Sequence, residues 1–190
     1  MHAAPCRTLE PPAIPAQQVA PRHPAGRHGG LTEGRPADGG LARFNTAPPA
    51  AAEALLLACC GSLRWAERVT THRPYPTLDA LLAAADEAGY DLGRADLAEA
   101  LARETPAPPH PDAPPAARTA LGAALAAYEA RFGHAFVISL DGVPAGERLD
   151  QVLAAIRSRL GNEREEERVV AAEELRRLAR TRLTRSIQAR

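Results

Sequence analysis

The chain has 190 residues, of which 45% are hydrophobic and only 4% aromatic, and its formal net charge at pH 7 is zero. This length provides one domain with a core of its own and little room for a second. A core built mainly from alanine and leucine favours helices, so we expect an all-α fold. The sequence contains no lysine, which excludes Schiff-base chemistry on a side chain.

Charge and cysteine content limit the partners that we expect. A balanced charge gives no general electrostatic reason to bind nucleic acid or an anionic membrane. The cysteines at Cys6, Cys59 and Cys60 show neither metal-site spacing nor a disulfide framework. No apolar run approaches the roughly 20 residues of a membrane span, and the N-terminus lacks a signal-peptide pattern. We therefore expect a cytoplasmic protein without a metal, a nucleic-acid partner or a membrane partner.

Residues 1–40 are rich in proline and glycine and show no sustained periodicity. Such a segment buries too little apolar surface to offset the entropy of ordering it. We expect residues 1–40 to be a disordered extension and residues 41–190 to form the helical domain. His2, His23 and His28 are loosely spaced in the extension and do not indicate a metal site.

Two helices are predicted at the start of the domain. The first runs from about Phe44 to Cys60, and the second covers Leu63 to Val69, with Trp65 as its anchor. The run Arg73-Pro74-Tyr75-Pro76 must end any helix, since each proline removes a donor and disfavours α geometry in the residue before it.

A third and a fourth helix follow this break. Thr77 can cap the third, and Gly89 ends it. Its apolar residues fall at i, i+3, i+4 and i+7, namely Leu78, Leu81, Leu82 and Ala85. The leucines that indicate the fourth helix are Leu92, Leu97 and Leu101.

A proline-rich connection from Pro106 to Pro115 leads into a fifth helix, which ends at Phe132. Gly133 stands where a left-handed C-terminal cap is wanted, and Phe136-Val137-Ile138 prefers extended geometry. Backbone N–H groups in so short an extended piece need a partner, and a bound anion is one candidate. A buried connector between two helices is the alternative.

The last two of about seven helices are the clearest in the sequence. The sixth has one buried face, formed by Leu149, Val152, Leu153, Ile156 and Leu160. Asn162 can cap the seventh, with Glu165 at the third position as in a capping box. The arginines near its end, Arg176, Arg177, Arg180 and Arg182, are expected to form a solvated helix end rather than a nucleic-acid patch.

Short motifs follow one another in the order typical of one family. They are Phe44-Asn45, Cys60 with Trp65, Arg73-Pro74-Tyr75, Tyr128-Glu129 with Arg131-Phe132-Gly133, Phe136-Val137-Ile138, Arg159-Leu160 with Asn162 and Glu167, and Arg182-Leu183. On these motifs, residues 41–187 resemble the 2-oxo-4-hydroxy-4-carboxy-5-ureidoimidazoline (OHCU) decarboxylases. The resemblance implies an all-helical bundle, usually a homodimer, that converts a small ureide to (S)-allantoin in urate breakdown without metal or organic cofactor.

The resemblance also implies a site. Loss of carbon dioxide leaves electron density that must be delocalised onto oxygen or nitrogen before a proton is added. By analogy with the family, the backbone of Phe136, Val137 and Ile138 contacts the substrate, and Arg164 faces it. Without the resemblance, Arg164 is an ordinary first-turn arginine paired with a glutamate such as Glu167.

The residues that handle the proton depart from the family pattern. Where the family has a His-Pro-Arg-Ile-Gly motif, this chain has Arg103-Glu104-Thr105-Pro106, and the Ser-x-x-Glu-Gln motif that should follow is missing. Glu104 stands near the place of the missing histidine and could transfer a proton if burial raised its pKa. His110 in the connection and His134 beside the amide segment are the other candidates, although both read more simply as exposed loop residues.

Two functions follow from these observations. The first is decarboxylation of OHCU to (S)-allantoin by a carboxy-lyase. The second is a catalytically degenerate homologue that kept the helical bundle and acts as a binding or structural protein.

Overall fold

A computed structural model describes residues 37–106 and 113–189, and the prediction of an all-α fold is confirmed. No strand forms within these ranges, and no helix in them has the length and apolar character needed to cross a membrane. Most of the expected extension, residues 1–36, lies outside the described residues. The helices are α1 (Ala37–Thr46), α2 (Pro49–Cys59), α3 (Leu63–Thr71), α4 (Leu78–Tyr90), α5 (Arg94–Ala102), α6 (Pro115–Phe132), α7 (Arg148–Arg159) and α8 (Arg164–Gln188).

The first predicted helix is in fact two helices, α1 and α2. Pro48 has no backbone N–H group with which to continue α1. Pro49 occupies the first position of α2, where a backbone N–H group would have no partner within the helix. α1 begins at Ala37, ahead of the expected domain start at residue 41. It includes Gly40, where a Cβ atom would lie only 1.7 Å from the carbonyl oxygen of Ile187. A glycine that weakens the helix pattern therefore allows α1 to pack closely against α8.

Helix α8 is the centre of the larger of two hydrophobic clusters. It packs against α1, α2 and α4. Its buried apolar residues repeat at every fourth position, in the order Ala171, Leu175, Ala179, Leu183 and Ile187. Trp65 joins α3 to α4 in the same cluster, since its indole Nε1 donates a hydrogen bond to the carbonyl oxygen of Ala85 at 2.8 Å.

Two of the family-like motifs tie α1 to the loop before α4. The side chain of Asn45 donates to the carbonyl oxygen of Tyr75 at 2.8 Å and accepts from the N–H of Tyr75 at 2.9 Å. Arg73 donates to the carbonyl oxygens of Phe44 and Ala47 at 2.6 and 2.9 Å. Thr77 caps α4 as predicted, accepting from the N–H of Ala80 at 3.1 Å. The contacts of Asn45 and Arg73 therefore stabilise the packing of α1 against this loop.

The second hydrophobic cluster lies between α6 and α7. An extended segment, residues 135–140, connects it to the first cluster. Phe136 belongs to the cluster of α6 and α7, whereas the next residue, Val137, belongs to the larger one. Side chains alternate in direction along an extended chain, so neighbouring residues can enter different clusters.

Truncation of Leu56 in α2 should strongly destabilise the domain. Leu56 is 0% exposed, so Leu56→Ala should lower the free energy of unfolding by about 2–5 kcal/mol. Leu63, which is 43% exposed, provides the matched control, and Leu63→Ala should change it by less than about 1 kcal/mol. Urea unfolding followed by circular dichroism measures both, and equal losses would contradict this description of the core.

Candidate active site

The extended segment begins at the glycine break that the sequence predicts. Gly133 ends α6 with φ of 80°, the left-handed cap conformation expected there. Within the described part of the chain, no residue accepts a hydrogen bond from the backbone N–H of Phe136, Val137 or Ile138. The next N–H, of Ser139, donates to Glu174 on α8 at 2.7 Å. The segment therefore offers unused donors beside an anchored end.

A buried arginine holds one carbonyl group of this segment. Arg159, at the end of α7, donates from Nη1 to the carbonyl oxygen of Val137 at 2.7 Å. Its guanidinium carbon lies 4.4 Å from the centre of the Phe136 ring, which adds a cation–π contact. The charge of Arg159 is balanced by Glu167 on α8, at 2.6 Å from Nη2 and 2.9 Å from Nε.

Glu167 is 0% exposed and accepts hydrogen bonds from three side chains. Besides Arg159, the hydroxyl of Tyr128 donates to it, and so does the amide of Asn162 at 2.9 Å. Burial, and then the hydrogen bond to Glu167, raise the pKa of the Tyr128 hydroxyl, so Tyr128 remains protonated and a donor.

The predicted cap of α8 is wrong. Glu163 rather than Asn162 occupies the N-cap position, and no side chain caps the helix there. The side-chain amide of Asn162 instead donates a charge-assisted hydrogen bond to the buried carboxylate of Glu167. Glu165 pairs with Arg94 and Arg168 instead of completing a capping box.

Glu104 lies beside the extended segment. It follows α5 and lines a cavity of about 70 Å³, which we call the inner cavity. Its carboxylate forms a two-point ion pair with Arg182 of α8, with oxygen–nitrogen distances of 2.6 and 2.8 Å. The inner cavity is lined by Glu104, Thr105, Pro106, Leu125, Phe136, Val137, Ile138, Val152, Leu178 and Arg182.

Arg182 lines the inner cavity, although the sequence pattern predicts that it belongs to a solvated helix end. The hydrogen bond to Glu104 raises the pKa of the Arg182 guanidinium, which stays ionised. A signal was present in the sequence. Arg182 lies seven positions after Leu175 and beside Leu183, so it adjoins the buried stripe of α8 rather than the solvated face.

The Glu104–Arg182 pair also borders a second, more polar space of about 340 Å³, the outer cleft. Glu104, Thr105 and Arg182 line both spaces, and Arg103 and Gly61 line only the outer one. A Cβ atom on Gly61 would lie 2.8 Å from the Cδ atom of Arg103, so glycine lets Arg103 pack close to the chain. The ion pair therefore stands between the inner cavity and the outer cleft.

Arg164 and His134 do not line the inner cavity. Arg164 lines a different space of about 310 Å³, the basic cleft, together with His134. It does not pair with Glu167, which Arg159 already occupies. His110 lies outside the described residues. The structure thus brings Glu104 to Phe136, Val137 and Ile138, but places Arg164 elsewhere.

Neither metal nor thiol chemistry is indicated by the described side chains. Between residues 37 and 106 and between 113 and 189, no group of three or more histidine, cysteine, aspartate and glutamate residues could hold a metal ion. Burial raises the pKa of the Cys60 thiol to about 11 and also raises that of Cys59. Both thiols are therefore poor nucleophiles at neutral pH.

A helical domain with free backbone donors, a buried ion pair and a cavity closed by an arginine is suited to binding a small polar molecule. Comparison with known proteins identifies the family to which the chain belongs. A family model described as OHCU decarboxylase matches residues 45–107 and 102–184, and the chain belongs to that family. No curated protein matches the sequence.

Two solved structures have similar folds. An (S)-allantoin synthase is 20% identical with a TM-score of 0.61, and the match covers 77% of this chain but only 53% of that one. The chain thus spans about half the length of that protein. An OHCU decarboxylase studied in the presence of (S)-allantoin is 23% identical with a TM-score of 0.58, and the match covers 67% of this chain and 92% of that one. At these identities the likeness establishes the fold alone.

Loss of Arg159 should be far more damaging than loss of an exposed arginine on the same helix. Arg159→Met leaves Glu167 buried without its cation and should lower the free energy of unfolding by about 3–5 kcal/mol. Arg157→Met, at an exposed position of α7, should change it by less than about 0.5 kcal/mol. Urea unfolding provides the comparison.

The double variant Arg159→Met with Glu167→Leu tests the reason for this loss. It should recover part of the stability, since no buried charge is left unpaired. If the double variant is less stable than Arg159→Met alone, the destabilisation in Arg159→Met is not caused by the unpaired charge of Glu167.

Proposed function

We propose that the chain decarboxylates OHCU to (S)-allantoin in the inner cavity, without a metal or organic cofactor. Family membership supports this general chemistry. The observation that carries the proposal is the convergence of Glu104, Arg182 and residues 136–138 on one cavity. These residues would supply an acid–base group, a permanent positive charge and backbone N–H donors, which are the groups that the reaction requires.

The size of the inner cavity requires that the Glu104–Arg182 pair separates when substrate enters. Small-molecule pockets usually measure about 300 Å³ or more, whereas the inner cavity has about 70 Å³. The outer cleft has about 340 Å³ on the other side of the pair. Rotation of the two side chains would join these spaces, and Arg182 would then exchange Glu104 for the bound molecule.

The position at which negative charge develops during the reaction determines the roles of Arg182 and of the backbone N–H groups. The bond from the ring carbon to the carboxylate breaks, carbon dioxide leaves, and the electron pair is delocalised onto a ring nitrogen or onto an oxygen attached to the ring. Tight binding of the departing carboxylate by Arg182 would stabilise the substrate and slow this step. Arg182 and the N–H groups of residues 136–138 are better used on the developing negative charge.

Glu104 is left to add the proton. Its side chain is only 7% exposed and lines the same cavity as residues 136–138. When it carries a proton, it can donate that proton to the ring carbon, and delivery from one side would give a single enantiomer. Glu104 thus takes the role that the resemblance assigns to a histidine.

Glu104→Gln and Arg182→Gln should both remove most of the activity. We expect a fall in kcat of about 10²-fold or more for the loss of the acid and about 10²–10³-fold for the loss of the charge. The measurement uses freshly generated OHCU and follows (S)-allantoin by circular dichroism. Arg185→Gln, on the same helix at a position whose side chain is 75% exposed, should retain the activity of the unmodified protein.

Two results would contradict the proposal. One is a rate with the unmodified protein that equals the spontaneous rate. The other is full activity in Glu104→Gln or Arg182→Gln, provided that the variants unfold at the same urea concentration as the parent.

A binding protein without turnover is the second candidate function. It is favoured by one observation, that the described lining of the inner cavity contains no histidine. It predicts that calorimetric titration detects binding of (S)-allantoin while no stereospecific turnover occurs. Glu104→Gln should then bind at least as tightly as the parent, because Arg182 no longer has to leave a carboxylate in order to contact the bound molecule. Stereospecific formation of (S)-allantoin above the spontaneous rate would rule this function out.

A further inference from the structure

The basic cleft lies between α5, the end of α6 and the start of α8, and shares no lining residue with the inner cavity. We propose that it is a second binding site, which takes a small organic anion with an apolar body. Its volume of about 310 Å³ is at the lower end of the range for small-molecule pockets. The proposal does not depend on decarboxylation.

Positive charge in the basic cleft exceeds what its neighbours neutralise. Arg94 and Arg168 share one carboxylate, Glu165, with nitrogen–oxygen distances of 2.6 and 3.0 Å. Arg164 has no ion pair or hydrogen bond to any described residue, and no carboxylate lines the cleft. Three arginines therefore line a space that no carboxylate lines, and two of them share the carboxylate of Glu165.

Apart from Arg94, the wall that α5 contributes is apolar. Leu97 and Leu101 are buried, and Ala98 and Ala102, each one residue further along α5, also line the cleft. Phe132 and His134 form the side that α6 contributes. An ion such as free phosphate would leave this wall uncovered, whereas a molecule with a charged head and an apolar body covers both parts.

The ring of His134 is held in place at the edge of the basic cleft. Its Nδ1 lies 3.0 Å from the carbonyl oxygen of Ala135, an acceptor, so Nδ1 carries the hydrogen. The ring also makes an edge contact with Tyr128, with centroids 5.6 Å apart. Since Tyr128 belongs to the buried network around Glu167, this wall of the cleft is fixed by the core.

The test is a fluorescence titration of the full chain with 1-anilinonaphthalene-8-sulfonate, an apolar anion. We expect one site per chain, with affinity that falls as sodium chloride rises. Octanoate should displace the dye, whereas inorganic phosphate should displace it poorly. Arg164→Gln and Arg168→Gln should each weaken dye binding by about tenfold, since each removes a charge-assisted contact.

A volume change tests the same site without changing charge. Ala98 is exposed on α5, so Ala98→Phe should preserve the helix while its ring fills the basic cleft, and dye binding should be lost. Arg157→Gln on α7 is the matched charge control and should bind like the parent.

Three results would overturn the proposal. The first is unchanged dye binding in both Arg164→Gln and Ala98→Phe, which would place the dye elsewhere. The second is displacement by phosphate as effective as displacement by octanoate, which would show that the apolar wall takes no part. The third is a change of sedimentation coefficient in Ala98→Phe, which would show that the cleft is covered by a second copy of the chain.

Discussion

The candidate active site depends on how the charge of Glu167 is balanced. An isolated carboxylate in a protein core is very unfavourable, and Glu167 has no exposure to solvent. Arg159 supplies two nitrogens to it, while Tyr128 and Asn162 supply a hydrogen bond each. Because the guanidinium is planar and rigid, fixing two of its nitrogens also fixes the third, which donates to the carbonyl oxygen of Val137. An ion pair between α7 and α8 thereby sets the position of a segment that has no strand partner.

The extended segment is restrained from several directions, which makes its N–H groups useful. Phe136 and Val137 enter different hydrophobic clusters, so the segment cannot slide along its own axis without exposing one of them. The carbonyl oxygen of Val137 accepts a hydrogen bond from Arg159, and the N–H of Ser139 donates to Glu174. Among the described residues, none accepts a hydrogen bond from the N–H groups of residues 136–138. Donors that are already in place need no reorganisation when charge develops nearby.

Much of the fold could be predicted from the sequence, because periodicity and turn residues are local signals. The Gly133 cap, the Thr77 cap and the separation of the helices at Arg73-Pro74-Tyr75 follow from the residues themselves. Less could be predicted where the structure of a residue depends on a partner that is distant in the sequence. Helix α1 tolerates Gly40 only because α8 lies against it, and Asn162 leaves the helix cap for a carboxylate that becomes buried only after folding. Arg164 and Arg182 carry the same charge on the same helix, and only the packing of α5 and residues 136–138 shows which one adjoins the amides.

The same physics separates the residues that identify the family from those that would perform its reaction. Arg159 and Glu167 belong to the motifs on which the resemblance rests, yet what they contact is each other and the backbone of Val137. Replacing either one alone leaves the other buried and unpaired, so folding alone is a sufficient reason to keep both. The resemblance in these motifs therefore carries information about the scaffold and little about turnover. Glu104 is under no such constraint, since its partner Arg182 is partly exposed and can be solvated. The proposed decarboxylation therefore depends on Glu104, which stands near the place of the histidine that the resemblance implies.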